Sequence, residues 1–167
     1  MNLYLLRHAH ARDVGEEGVE SDDERPISEE GRRQMEVMGE AVKRLGLNFD
    51  HILSSPLRRS MQTAEELCRA LGLADSAITA CDQLAPGTSA KKLMKRLRGL
   101  EGSDILLVGH EPDLSKNAAR LIGSKRAQLE LPKASLACLR LDSSPAKGAA
   151  VLEWLLTPDL AGALNGK

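Results

Sequence analysis

Two short apolar runs constrain this chain more than anything else in it. Leu3-Tyr4-Leu5-Leu6 is cut off by Arg7-His8, and Ile105-Leu106-Leu107-Val108 is cut off by Gly109-His110. Four apolar residues in a row, without polar alternation, mark a strand buried on both faces. Such strands lie in sheets covered by helices on either side, and ligands of these folds bind beyond the strands' carboxyl ends. Each run therefore delivers a histidine to the edge where chemistry is expected.

The rest of the chain alternates in the same sense. Residues 12–25 are polar, acidic and glycine-bearing, without periodicity, and read as a loop able to close over a ligand. Ser28 suits a helix N-cap, Glu29 and Glu30 suit the positive end of the helix dipole, and Met35, Met38, Val42 and Leu45 fall on one helical face ending at Gly46. Gly31 in that first turn costs helix stability, which predicts close packing there. Phe49–Leu53 reads as a second strand. Ser55 as N-cap and Pro56 at the first helical position predict the next helix, with Leu57, Met61, Ala64, Cys68 and Leu71 inward. Arg59, Gln62 and Thr63 share a face of that helix. Ile78–Ala80 reads as a weak strand, and Ser89 caps a short helix with a basic outer face (Lys91, Lys92, Lys95, Arg96, Arg98) suited to solvent or to an acidic partner. Gly109 would allow close approach of a ligand, and Pro112 starts a further helix. Leu136–Leu141 and Val151–Leu156 read as an antiparallel pair, because their join is short and has no helical period. The tail after Pro158 is expected to fray.

This pattern predicts a three-layer α/β/α sandwich around a mostly parallel sheet with an antiparallel strand, in a single domain over residues 1–167. Parallel strands present their carboxyl ends on one side. Arg7 and His8, Arg59, and His110 then converge without any tertiary information, and no conspicuous acidic cluster follows the same strand ends. Two arginines and two histidines in one place suit a small dianion, phosphate above all.

Four blocks carry a resemblance. They are Leu5-Leu6-Arg7-His8-Ala9, the segment from Arg25-Pro26-Ile27-Ser28 to Gln34, the segment from Ser54-Ser55-Pro56 through Arg59 to Gln62-Thr63-Ala64, and Val108-Gly109-His110-Glu111-Pro112. In this order they resemble the histidine phosphatase superfamily, with its phosphoglycerate mutase-like fold. The short length, Arg25–Ser28 and the closing Glu153-Trp154-Leu155-Leu156-Thr157-Pro158 look most like the SixA-type phosphohistidine phosphatase branch. The resemblance implies His8 as the nucleophile that becomes a phosphohistidine. It implies Arg7, Arg59 and His110 as ligands of the phosphoryl oxygens, with Arg25 and Ser28 as outlying contacts. It implies neither cofactor nor metal. The partner expected is a phosphorylated protein bearing phosphohistidine, or else a small phosphorylated substrate.

Two departures from the family pattern stand out. Ala9 replaces the usual glycine after the histidine and is small enough to change little. The general-acid glutamate of the family's ester-cleaving members has no counterpart, because Leu84-Ala85-Pro86 occupies its place. An alkoxide leaving group needs a proton in the transition state, whereas imidazole leaves more readily. The gap favours an N–P bond, although Asp82, Glu111 or an acid of residues 22–24 could substitute.

Composition excludes other classes. The net charge of −1 and the single Trp, Tyr and Phe argue against nucleic acid and against anionic membrane. Cys68, Cys81 and Cys138 form no C-x-x-C and predict free thiols; with no leader-like start, a cytoplasmic monomer is expected. The rival readings are a phosphomonoesterase or mutase of the same superfamily, a phosphate-binding relic without activity, and a metal-dependent hydrolase built on His8-x-His10.

Overall fold

The computed structural model describes residues 1–16 and 18–166. Its centre is a six-stranded sheet. The strands are β1 (Asn2–Arg7), β2 (His51–Ser54), β3 (Ile78–Ala80), β4 (Asp104–Gly109), β5 (Leu136–Leu141) and β6 (Ala150–Leu156), in the spatial order β3-β2-β4-β1-β5-β6. β3, β2, β4 and β1 pair in parallel. β5 runs antiparallel to β1, and β6 antiparallel to β5, so a single strand opposes the rest.

The two apolar runs are adjacent, with Leu3 opposite Ile105 and Arg7 opposite Gly109. Side chains alternate across the sheet. Tyr4, Leu6, Leu106 and Val108 face α1 (Glu29–Arg44), α2 (Arg58–Leu71) and α5 (Pro158–Leu164), while Leu3, Leu5, Ile105 and Leu107 face α3 (Ala90–Leu97) and α4 (Asp113–Leu121). Both faces are buried, which is why neither run needed polar alternation. Among the described residues no helix is long and apolar enough to cross a membrane.

Several elements differ from the sequence expectation. The second strand starts at His51 and not at Phe49. Leu45 is not the end of the buried stripe of α1 but its C-cap, and it is half exposed. α2 begins at Arg58 with Leu57 as an N-cap that supplies no side-chain bond, so Ser55 and Pro56 do not start it. Its buried stripe carries Arg59, Ser60, Thr63, Ala64, Leu67 and Cys68, rotated away from Leu57, Met61 and Leu71. The tail forms α5, because the Thr157 hydroxyl accepts from the Leu160 amide at 3.3 Å and Ala161 is fully buried against α1. Gly109 serves packing: a Cβ there would lie 3.2 Å from Leu114.

The close approach expected at Gly31 is present. A Cβ on this residue would lie 2.2 Å from the backbone oxygen of His10. Backbone cannot yield as a flexible side chain does, so overpacking outweighs the better helix propensity of alanine, worth about 1 kcal/mol. Gly31→Ala is expected to cost about 1–3 kcal/mol, measured as a lower urea midpoint. An unchanged midpoint would show that the 9–11 segment can shift freely.

Candidate active site

The strand order brings the sequence-predicted residues together. β2, β4 and β1 are neighbours, so Arg59, His110 and the Arg7-His8 pair emerge side by side at one sheet edge. The His8 amide donates to Gly109 O at 2.9 Å, and the Ser55 amide to Val108 O at 2.9 Å. The rings of His8 and His110 lie 5.0 Å apart, centroid to centroid. His8, Arg59 and His110 are only 8%, 5% and 3% exposed, and an arginine rarely reaches that burial unless its charge is paired. Arg58, next to Arg59, is exposed.

The His8 ring is fixed by one bond. Its Nδ1 lies 2.8 Å from Ala9 O. A carbonyl only accepts, so Nδ1 carries the proton and Nε2 keeps its lone pair. Burial pushes the His8 pKa down to about 3; the Ala9 bond works against that shift, and the fields of His110, Arg59 and Arg7 add to it. The segment after His8 is held in turn. Thr63 Oγ1 accepts from the Ala9 amide at 3.0 Å and donates to Arg59 O at 2.6 Å, which ties the nucleophile's neighbour to the helix carrying the arginine.

His110 rests on two serines, with Nε2 2.8 Å from Ser55 Oγ and 3.3 Å from Ser60 Oγ. If a serine hydroxyl donates to Nε2, the proton resides on Nδ1, which is buried and unpartnered among the described residues. Burial first, and then Arg59, push the His110 pKa down to about 4, against Asp22 and Asp113.

Both arginines are anchored at their tips and leave Nε unpaired. Arg7 donates from NH1 to Leu131 O at 2.8 Å. Arg59 donates from NH1 to Asp22 O at 2.6 Å and from NH2 to Asp22 Oδ2 at 3.0 Å. The Nε of each is buried without a protein partner among the described residues. Buried donors of this kind are costly unless something accepts from them. Two of them, on Arg7 and Arg59, belong to the residues around a neutral His8, and His110 Nδ1 makes a third when a serine hydroxyl donates to its Nε2. The arrangement can bind a tetrahedral oxyanion and offer it a lone pair.

The acidic loop enters the site in a way the sequence did not disclose. Asp22 bridges Arg59 and Arg25, whose NH1 donates to Asp22 Oδ1 at 3.1 Å. Burial raises the Asp22 pKa, but the Arg25 bond and Arg59 outweigh it and hold the carboxyl below its ordinary value. Arg25 also binds Asp13 at 2.7 Å and Arg12 O at 2.5 Å, so it organises the loop and meets the quartet through Asp22. Ser28 caps α1, accepting from the Gly31 amide at 3.2 Å, and its hydroxyl pairs with His10 Nδ1 at 2.8 Å. Among the described residues no group of three or more His, Cys, Asp or Glu side chains is arranged to hold a metal.

At the position of the absent general acid, Pro86 is exposed on a turn, and Asp82 is exposed at the start of the short 3-10 helix before it. Glu111 is closer to the quartet in sequence; its Oε2 accepts from Ser115 Oγ at 2.6 Å, and its Oε1 is buried and unpaired. Ser55, Ser60 and the Leu131 carbonyl carry no site expectation from the sequence, and Asp22 carries one only as an acid of residues 22–24 that could replace the general acid, not as the anchor of Arg59. The Ser-Ser-Pro block holds the only signal for Ser55, and as a pattern it suits a helix cap.

The depressed histidine pKa values affect stability. Folded His8 and His110 are neutral down to about 3 and 4, whereas in the unfolded chain each titrates near 6.5. Between those values the unfolded chain binds more protons, so stability is full above about 6.5 and falls as the pH drops toward 4. The urea midpoint of the native protein is expected to fall through this window, and less steeply in the His8→Gln/His110→Gln variant. Equal slopes would mean that the two rings are not held neutral.

Comparison with known proteins finds relatives in sequence and in fold. A family model for the histidine phosphatase superfamily (branch 1) matches residues 3–85. An uncharacterized protein of Picosynechococcus sp. is 34% identical over 145 residues, covering 84% of this chain and 85% of the relative. The structure of the protein histidine phosphatase SixA complexed with tungstate superposes with a TM-score of 0.83 at 24% identity, covering all of both chains. A candidate phosphohistidine phosphatase SixA from Agrobacterium tumefaciens gives a TM-score of 0.77 at 25% identity, covering 94% of this chain and 97% of the other.

Proposed function

This chain belongs to the histidine phosphatase superfamily, and from that premise we propose that it removes the phosphoryl group from phosphohistidine on a protein, through a covalent intermediate on His8. The observation that carries the reading is the state of His8: a buried, neutral imidazole with Nδ1 committed to Ala9 O, among the unpaired Nε donors of Arg7 and Arg59 and the unpartnered Nδ1 of His110. The SixA structure of the same fold holds tungstate, a tetrahedral oxyanion of the kind these donors suit.

In the first step the Nε2 lone pair of His8 attacks phosphorus in line, and the P–N bond to the substrate imidazole breaks. That imidazole leaves neutral once its second ring nitrogen holds a proton, which solvent can supply. Arg7, Arg59 and His110 offset charge on the equatorial oxygens. In the second step water attacks the phosphohistidine, phosphate departs, and the bonding pair returns to Nε2. No step demands an acid at the leaving atom, in keeping with Leu84-Ala85-Pro86 where the family resemblance would place the glutamate of ester-cleaving members. The three free, buried cysteines fit a reducing, cytoplasmic setting, and the reading needs only one copy of the chain.

The experiment is a comparison of turnover on a histidine-phosphorylated protein and on a panel of phosphomonoesters. The phosphoprotein is expected to lead in kcat/KM. Esters leading by orders of magnitude would replace this reading with a small-molecule phosphatase.

A further inference from the structure

A groove of about 550 Å³ lies beside the quartet, on the α3/α4 side of the sheet. Its volume is in the range of ligand clefts, and no carboxylate lines it. Lys116, Arg120, Lys125 and Lys147 do, all exposed. Among the described residues none of the four makes an ion pair, whereas three of the four exposed cations of α1, Arg32, Arg33 and Lys43, are paired with carboxylates. Four like charges around one concavity repel each other, and an anionic occupant relieves that repulsion.

The groove's place in the chain links it to the reaction. Pro112 lines it two residues after His110, and Leu129 lines it two residues before Leu131, whose carbonyl anchors Arg7. The acidic loop meets the quartet through Asp22, whose carboxylate is already held by Arg59 and Arg25, as Asp13 is by Arg25. Among the described residues the groove's cations have no such partners, and they draw a protein with an acidic surface toward this side.

We propose that this groove is the docking surface for an acidic segment of the protein whose phosphohistidine enters the quartet. The inference rests on the function proposed above and adds what recognises the substrate. It gives the basic side of the molecule a role, since α3 extends the charge with Lys91, Lys92, Lys95 and Arg96.

The test uses the full chain, the Lys116→Glu/Lys125→Glu variant and two substrates. One is a histidine-phosphorylated protein with acidic residues around its phosphohistidine; the other is free phosphohistidine. The exchanged side chains are exposed, so folding is expected to persist, and Lys116→Gln/Lys125→Gln serves as a milder variant. With the phosphoprotein, charge reversal is expected to lower kcat/KM by roughly tenfold or more and to flatten its decline with salt. The neutral variant should fall in between, and turnover of free phosphohistidine should not change. Unchanged kcat/KM on the phosphoprotein overturns the docking surface alone. An equal loss on both substrates also overturns it, by showing damage to the quartet. Failure of the unaltered protein on both phosphohistidine substrates, with esters turned over, overturns the proposed function and the docking surface with it.

Discussion

His8→Ala is expected to lower turnover by roughly 10⁴-fold or more, the scale seen when a nucleophile is removed from a site that acts as a unit. The loss should fall on kcat, because the anion donors do not depend on the His8 ring. Arg7 stays anchored on Leu131 O, Arg59 on Asp22, and His110 on Ser55 and Ser60. The variant should still bind inorganic phosphate or tungstate, measured by calorimetry, and lose all covalent labelling. Folding should survive: the ring gives up a single bond, to Ala9 O, and leaves a small cavity. Activity within tenfold of the native protein would remove His8 from the reaction.

Arg59→Ala comes next in size, at about 10²- to 10³-fold in kcat, the effect of deleting one preorganised donor to a charged transition state. Arg59 is nearly buried, and its guanidinium is aimed by Asp22. Arg59→Lys keeps the charge but loses the Nε donor and the planar fork, so it should recover only part of the loss. Arg58→Ala, one residue earlier and on the exposed side, is the control and should change kcat/KM little. The prediction is read from steady-state kinetics of the three variants. A larger loss at Arg58 than at Arg59 would contradict the assignment of the phosphate ligand.

The topology was legible because the two apolar runs, Leu3–Leu6 and Ile105–Val108, admit few environments other than the middle of a covered sheet. Once they are parallel neighbours, His8 and His110 must meet. Arg59 was legible through the family resemblance, which aligns the family's arginine with the residue three before Gln62-Thr63, and Thr63 links it to the backbone after His8. The misreadings have a common cause. Ser55, Ser60 and Thr63 are buried polar residues held by partners distant in sequence, and a pattern argument assigns polar residues to caps and surfaces. Hence the pattern starts α2 too early and draws its inner face through Met61 and Leu71. The bond of Asp22 to Arg59 was unreadable for a related reason. Asp22 comes from an aperiodic loop, and only the folded position of Arg59 gives it a partner. In the tail, Thr157-Pro158 is an ordinary helix start, but the α1 surface that stabilises so short a helix is invisible in the sequence.

The most direct test of a phosphoryl-accepting His8 is rapid-quench trapping of the enzyme during turnover of a ³²P-labelled phosphohistidine protein. The mechanism predicts a transient label on the chain, stable to alkali and lost in acid, mapping by mass spectrometry to His8 alone and absent from His8→Ala. Full release of phosphate with no label at any quench time would contradict it, as would a label on His10, His51 or His110.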